Sequence, residues 1–171
     1  MPKKILLALF CFLLSSCGFH TPQLSNLAPP MRTLYFNADN PHGALATEVA
    51  RRLTAMGVKL VDSPTQAAIE LHLTKPSFTQ AQPVIFYSSY AVNFSYSLSA
   101  HYDLRWTKSQ KIIQGGPLVA SQTIIHNANQ AYTSGADVLM RAQLTQTLAG
   151  NLLFNLTNNG TKNAVEHSRS Q

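Results

Sequence analysis

The clearest pattern in the sequence is a strict alternation of apolar and polar positions over residues 90–106. The odd positions are mainly polar, and the even positions are Tyr90, Val92, Phe94, Tyr96, Leu98, Ala100, Tyr102, Leu104 and Trp106. A period of two indicates a β-strand with one buried face and one solvent face. A polar turn at 107–110 and a returning strand over 111–126 complete a long predicted hairpin. Residues 115–117, Gly-Gly-Pro, predict a bulge or bend in the second strand.

Two segments show helical rather than strand periodicity. Leu45, Val49, Leu53 and Met56 predict a first helix of about 14 residues, closed by a left-handed glycine at position 57. A second helix of about 20 residues follows a predicted cap at Ser134. Its apolar stripe consists of Met140, Leu144, Leu148, Leu152 and Leu156. Segments 33–36 and 69–74 predict two shorter strands, and residues 76–83, with two prolines, predict a loop.

The predicted order β-α-β-β-β-α defines the fold class. Each helix has a single apolar stripe, so both helices must cover the apolar face of one sheet. We therefore expect an α+β two-layer sandwich, with a mainly antiparallel sheet of about four strands. The domain spans residues 33–158. An extended tether over 17–32 precedes it, and a mobile C-terminal tail over 159–171 follows it.

The N-terminus has the features of a secretory signal peptide. Two lysines precede a ten-residue apolar run at 5–14, which is too short to span a bilayer. The run ends in Leu14-Ser15-Ser16-Cys17-Gly18, which resembles the lipobox of bacterial lipoproteins. That resemblance implies removal of residues 1–16 and attachment of a diacylglycerol thioether and an N-acyl chain, such as palmitate, to Cys17. Gly18, in place of an aspartate, implies anchoring on the periplasmic side of the outer membrane. The alternative is an ordinary signal peptide with a chance cysteine.

Composition narrows the function classes. Charged residues make up 12% of the chain, and the formal net charge is +6. The surface is therefore rich in Ser, Thr, Asn and Gln, and the secretory route argues against a nucleic-acid partner. None of the nucleophile-elbow, phosphate-loop, dinucleotide or zinc-protease motifs is found, so we expect no enzyme, no catalytic residue and no cofactor beyond the lipid. His72, His101 and His126 could converge as metal ligands, but we favour solvated strand residues and expect no metal site.

Two clusters are candidates for binding. Arg105, Lys108 and Lys111 lie around the predicted hairpin tip, where they could pair with phosphates or simply keep the hairpin end soluble. Ile85, Phe86 and Tyr87 follow the proline-rich loop as an apolar cluster. Exposed aromatic clusters of this kind mark partner contacts more often than ordinary surface does.

The order of these features resembles the LPS-assembly lipoprotein (LptE) family. The resemblance rests on the lipobox with Cys17-Gly18-Phe19-His20, the helix ending at 56–58, the alternating strand and the leucine-striped helix, and it covers nearly all of residues 17–157. It implies a non-enzymatic plug inside the outer-membrane LPS-assembly barrel (LptD), which helps the barrel assemble and assists insertion of lipopolysaccharide into the outer leaflet. In the family, basic residues in the loops after the second and fourth strands contact lipopolysaccharide.

This chain departs from the family pattern in those loops. Residues 79–89 and 127–134 contain no Lys or Arg, and Lys75 is the nearest cation to the first loop. We therefore expect Arg105, Lys108, Lys111 and Lys75 to be the contacts for lipopolysaccharide phosphates. An alternative function is an auxiliary lipid-binding lipoprotein of another envelope lipid-transport system, holding an acyl chain between sheet and helices. A periplasmic hydrolase using a serine and a strand histidine is the third hypothesis.

Overall fold

A computed structural model describes residues 24–81, 84–86, 91–127 and 135–169. The strands are β1 Thr33–Ala38, β2 Lys59–Val61, β3 Ile69–Gln80, β4 Val84–Phe86, β5 Ala91–Trp106 and β6 Ile112–Asn127. The α-helices are α1 Ala44–Ala55, α2 Ala136–Thr157 and α3 Asn159–Arg169. Short 3₁₀ turns occupy Leu24–Asn26, Pro29–Arg32 and Pro64–Gln66.

All six strands form one sheet, in which β1 is parallel to β2 and β3, and β5 is antiparallel to β3, β4 and β6. Strand β6 pairs with β5 over nearly its whole length. Because a strand has only two edges, β3 and β4 occupy successive stretches of the other edge of β5. The sheet therefore reads β2-β1-β3-β5-β6 across its width. The α+β sandwich with a long hairpin is confirmed, with two short strands more than expected.

The predicted burial alternation of β5 is also confirmed. Its even positions from Tyr96 to Leu104 are buried, and they share one core with the leucine stripe of α2 and the apolar face of α1. The Tyr96 hydroxyl donates a hydrogen bond of 2.9 Å to Asp137 in the first turn of α2. Gly57 adopts a φ of 89° after α1, as the predicted left-handed cap requires. The helices thus leave the opposite sheet face uncovered.

The predicted tether over 17–32 is wrong for its described part, residues 24–32. These residues form two 3₁₀ turns, and Leu27, Ala28 and Met31 are at most 1% exposed. They join the same core as the sheet and helices. The three apolar side chains follow no helical or strand period, so the pattern did not reveal their burial. The domain therefore begins before residue 33.

We expect Met31→Ala to destabilise the domain by about 3 kcal/mol, because it leaves a cavity in the core. Ser25→Ala, at an exposed position of the same segment, is the control and should change stability by less than about 0.5 kcal/mol. Chemical denaturation of both variants measures the difference. Equal stability of the two variants would contradict the placement of this segment in the core.

The predicted mobile tail over 159–171 is wrong for residues 159–169, which form α3. The Asn158 side chain accepts a 2.8 Å hydrogen bond from the Thr161 backbone N–H and so caps the helix. Thr161 and Val165, one turn apart, are at most 1% exposed. The Thr161 hydroxyl donates to the side-chain oxygen of Gln114 at 2.7 Å, and the Gln114 amide donates to the Tyr102 hydroxyl at 3.3 Å. Burial raises the pKa of Tyr102, so it remains a neutral member of this network.

Two predicted irregularities lie at other positions. The loop predicted over 76–83 is strand as far as Gln80, and its register shifts between Thr74 and Ser77 around Lys75, which has a φ of 51°. The hairpin register shifts where Gln114 pairs with Leu104 and Ile112 with Arg105, so Ile113 is the extra residue. The bulge therefore precedes residues 115–117, which remain paired.

Gly115 has a steric role within the hairpin. A Cβ at this position would lie 2.7 Å from the Tyr102 carbonyl oxygen and would also collide with the Asp103 carboxylate, whereas a Cβ on Gly116 would meet nothing within 4 Å. We expect Gly115→Ala to lower the free energy of unfolding by about 1–3 kcal/mol. Gly116→Ala is the matched control and should stay within about 0.5 kcal/mol of the parent. Thermal unfolding that ranks the two variants in the opposite order would contradict this account.

Candidate functional site

The sheet face that points away from the helices is uncharged over much of its length. Its polar side chains there are hydroxyls and one amide, on Ser77, Thr79, Asn93, Ser95, Ser97, Ser99, Ser121 and Thr123, and all are at least partly exposed. The apolar side chains of Val119 and Ile125 lie on the same face, opposite Ser99 and Asn93. The Ser95 and Thr123 hydroxyls are hydrogen-bonded across β5 and β6 at 3.0 Å. We call this area the neutral face. It offers donors and acceptors to a partner without burying a charge.

Strand β6 forms an edge of the sheet beside this neutral face. No described strand pairs with its outer side, and its sixteen residues include no charged side chain. Val119 is 58% exposed and Ile125 is 64% exposed. Proteins usually protect an edge with charges, prolines or bulges, but after Pro117 the stretch 119–127 has neither a proline nor a charge. The composition of this edge is therefore more typical of a strand that a partner covers than of a strand that faces solvent.

Charged groups occupy the other part of the same sheet face. Arg105 donates a hydrogen bond to His72 Nδ1, and its guanidinium lies 3.9 Å from the Asp103 carboxylate. The other ring nitrogen of His72, Nε2, lies 3.7 Å from the Asp39 carboxylate. The Arg105 side chain is only 21% exposed. The structure therefore places Arg105 in a partly buried network, and the same guanidinium donates to the Gln110 side chain of the hairpin turn at 3.4 Å. Its contact with a lipopolysaccharide phosphate stays a prediction.

The strand histidines have carboxylate neighbours. His101 Nε2 lies 3.4 Å from Asp103, its neighbour on the same strand face. Within the part of the chain that the structure describes, no three His, Cys, Asp or Glu side chains are grouped closely enough to hold a metal ion. The side chain of His126 is outside the described residues, so the three-histidine arrangement is not tested.

Lys75 does not join the hairpin-tip cations. It is exposed on the β3 bulge, and its backbone N–H donates to the Asp39 carboxylate at 2.9 Å. Its neighbour Thr74 pairs with His101, six residues before the turn at Thr107. At about 3.4 Å per residue this separates Lys75 from the tip by roughly 20 Å. A single phosphate group cannot contact both.

A cation from α3, Arg169, lies beside the lysines of the hairpin tip. A cleft of about 300 Å³ is lined by Trp106, Lys108, Ser109, Lys111, Ser168 and Arg169, and we call it the tip cleft. The Trp106 indole N–H donates to the Ser168 hydroxyl at 3.0 Å, which holds the end of α3 against the hairpin. Sequence reasoning missed Arg169 because the segment was interpreted as a tail. Thr161 and Val165, spaced one helical turn apart, were the only available signal.

Several predicted positions cannot be compared with side-chain structure. The backbone of Val84–Phe86 forms β4, which pairs with residues 91–93. The side chains of Ile85 and Phe86, and the whole of Tyr87, lie outside the described residues. Cys17 also lies outside them. These partner and lipidation sites therefore stay predictions.

A cavity of about 180 Å³ lies between the sheet and the two longer helices. It is bounded by Leu73, Phe78 and Leu98 from the sheet and by Arg141 from α2, whose guanidinium lies 3.9 Å from the centroid of the Phe78 ring. Pockets for small ligands are usually about 300–1,000 Å³. This cavity is smaller and has the Arg141 side chain in its wall, which weakens the hypothesis of an acyl chain between the layers. Among the described helices, none is long and apolar enough to cross a membrane.

Comparison with known proteins identifies the fold only. No known family model and no curated protein matches the sequence. The structure resembles a minor lipoprotein from Acinetobacter baumannii, with a TM-score of 0.61 and 15% identity over 74% of this chain and 91% of that one. It also resembles rare lipoprotein B from Shewanella oneidensis, with a TM-score of 0.61 and 13% identity over 81% and 99% of the two chains. Lipoprotein B from Nitrosomonas europaea gives a TM-score of 0.62 at 12% identity over 88% and 96%. The chain thus shares its fold with bacterial lipoproteins.

Proposed function

We propose that this chain is a non-enzymatic lipoprotein of the outer membrane, anchored on the periplasmic side through acylated Cys17, and that it forms a complex with the LPS-assembly barrel. The lipobox-like sequence at 14–18 and the fold shared with bacterial lipoproteins support the anchor. Two observations support the barrel as the partner: the resemblance in element order, and the neutral face with the adjoining edge of β6. Within the complex, the domain acts as a plug that aids barrel assembly and the insertion of lipopolysaccharide.

The observation that carries this proposal is the neutral face together with the unprotected edge of β6. Barrel interiors in the outer membrane are polar. Hydroxyl and amide side chains can bind such a wall, and no charge has to lose its water. The exposed backbone of β6 between 119 and 127 gains hydrogen-bond partners in the same contact, which explains why the edge carries no protective charge.

The layered core supports the mechanical part of this role. Both long helices and the N-terminal 3₁₀ turns share one buried core with the sheet. A plug must keep its shape while the barrel closes around it, and close-packed interiors resist deformation. The helices therefore stiffen the sheet from one side, and the other side stays available for the barrel wall.

The lipid anchor is tested by the intact mass of the purified chain. We expect a product that begins at Cys17 and carries a diacylglycerol thioether and one N-acyl chain. Cys17→Ala should abolish acylation and leave the signal peptide attached, because cleavage at a lipobox depends on the modified cysteine. An unmodified chain cleaved elsewhere would identify an ordinary signal peptide.

The barrel complex is tested by mild-detergent purification of the tagged full-length protein from outer membranes. We expect a large barrel protein in roughly equal amount, and we expect Val119→Lys/Ser121→Lys to abolish its recovery because two charges would face the polar wall at the edge. The matched control is Gln143→Lys/Gln146→Lys, on the exposed side of α2, which should keep the barrel.

Thermal unfolding of both double variants separates binding from folding, and we expect transitions close to that of the parent. Recovery of the parent protein without a barrel would contradict the proposal. Equal recovery of the barrel by both double variants would show that the β6 edge is not the contact.

A further inference from the structure

The tip cleft combines cationic, aromatic and hydroxyl groups. Lys108, Lys111 and Arg169 supply three positive charges, and no acidic residue is among its described lining residues. Arg and Lys bind phosphate oxygens through charge-assisted hydrogen bonds, and tryptophan is favoured at the boundary between lipid and water. This combination suits a phosphate-bearing headgroup better than a neutral ligand.

The sheet register places the tip cleft at the same end of the domain as the N-terminal segment. Lys59 on β2 pairs with Thr33 on β1. The next residue of β1, Leu34, pairs with Ile69 on β3. Ile69 in turn pairs with Trp106 on β5. This row crosses four strands, and the hairpin turn follows directly after Trp106. With strands about 4.8 Å apart, the row spans roughly 14 Å.

The N-terminal segment meets this row at its β2 side. A Cβ at Gly57, two residues before Lys59, would lie 3.6 Å from the Leu24 side chain. Leu24 follows Cys17 by seven residues, which reach at most about 25 Å when fully extended. An anchor at Cys17 therefore holds the tip-cleft end of the domain close to the membrane surface.

The same end carries two further exposed cations, Arg32 before β1 and Lys59 at the start of β2. Positive charges beside an anionic membrane each raise affinity by about fivefold. Acyl anchors and a basic patch act together as two membrane-binding signals. The charge distribution and the anchor position thus point to the same surface.

We propose that the tip cleft binds the headgroups of anionic phospholipids in the membrane to which the chain is anchored. The contact orients the domain, with the hairpin tip on the membrane surface and the far end of the hairpin pointing away from it. This inference rests on the lipid anchor of the proposed function but not on the barrel. It also assigns Lys108, Lys111 and Arg169 to the anchoring membrane rather than to lipopolysaccharide in transit.

Trp106 is the only tryptophan of the chain and lines the tip cleft, so its fluorescence reports directly on this contact. The acylated full-length product is reconstituted into vesicles of phosphatidylcholine, with or without phosphatidylglycerol, that contain a lipid with a nitroxide quencher at its headgroup. We expect quenching of Trp106 to be severalfold stronger in the anionic vesicles, and raised salt should remove the difference.

Lys108→Gln/Lys111→Gln should abolish the dependence on phosphatidylglycerol. The matched control, Lys75→Gln/Arg141→Gln, removes the same charge from exposed positions elsewhere and should retain it. Equal quenching in both vesicle types, or a difference that survives in the Lys108/Lys111 variant, would overturn the inference. A response to inorganic phosphate alone, without one to anionic vesicles, would identify an ion site and would also overturn it.

Failure of this inference is distinguishable from failure of the proposed function. Intact mass reports acylation, and barrel recovery is measured separately on the Lys108→Gln/Lys111→Gln variant, which we expect to keep the barrel. If the chain carries no lipid, the same quenching measured after adding vesicles to the full chain still decides whether the tip cleft binds anionic headgroups.

Discussion

The pairing of β5 with its neighbours is the constraint on which the rest of the structure depends. This strand holds β6 on one edge and β3 and β4 on the other, and its even positions supply the middle of the core. A shift of one residue in register would exchange its buried and exposed faces. Tyr96 and Leu104 would then face solvent, and serines would face the helices. Both the core and the outer face are therefore set by one alignment.

That alignment divides the outer face into two parts with different chemistry. Towards the end near Trp106, charged side chains pair with one another, as the Arg105 guanidinium does with His72 and Asp103, while the buried Arg105 Nε has no hydrogen-bond partner among the described residues. Further along, the neutral face and the edge of β6 have hydroxyl, amide and backbone groups that can form further hydrogen bonds with a partner or with water. The proposed barrel contact depends on this uncharged surface and open strand edge. The charged network instead joins β5 to β3 and reaches Asp39, which follows β1.

Under the proposed anchoring, the two ends of the sheet differ in their distance from the membrane. The N-terminal 3₁₀ turns, the hairpin turn and the end of α3 all gather at one end, where Trp106 is bonded to Ser168. The proposed anchor at Cys17 would set the direction of the long hairpin relative to the membrane. The proposed barrel contact and the proposed headgroup contact are compatible because they use different surfaces of the same rigid sheet.

The sequence by itself determined the long hairpin, the two striped helices and the one-sided sheet, because in each case a repeating pattern matches the period of the element. It also predicts the acylation of Cys17, which lies outside the described residues. Only the tertiary structure decided the place of residues 24–32 and of α3. Those segments are short, and their order comes from burial of Met31, Thr161 and Val165 against the rest of the core rather than from their own periodicity. Contacts between residues distant in the chain also decided which cations line the tip cleft. Arg169 lines it, and Arg105 is not among its lining residues.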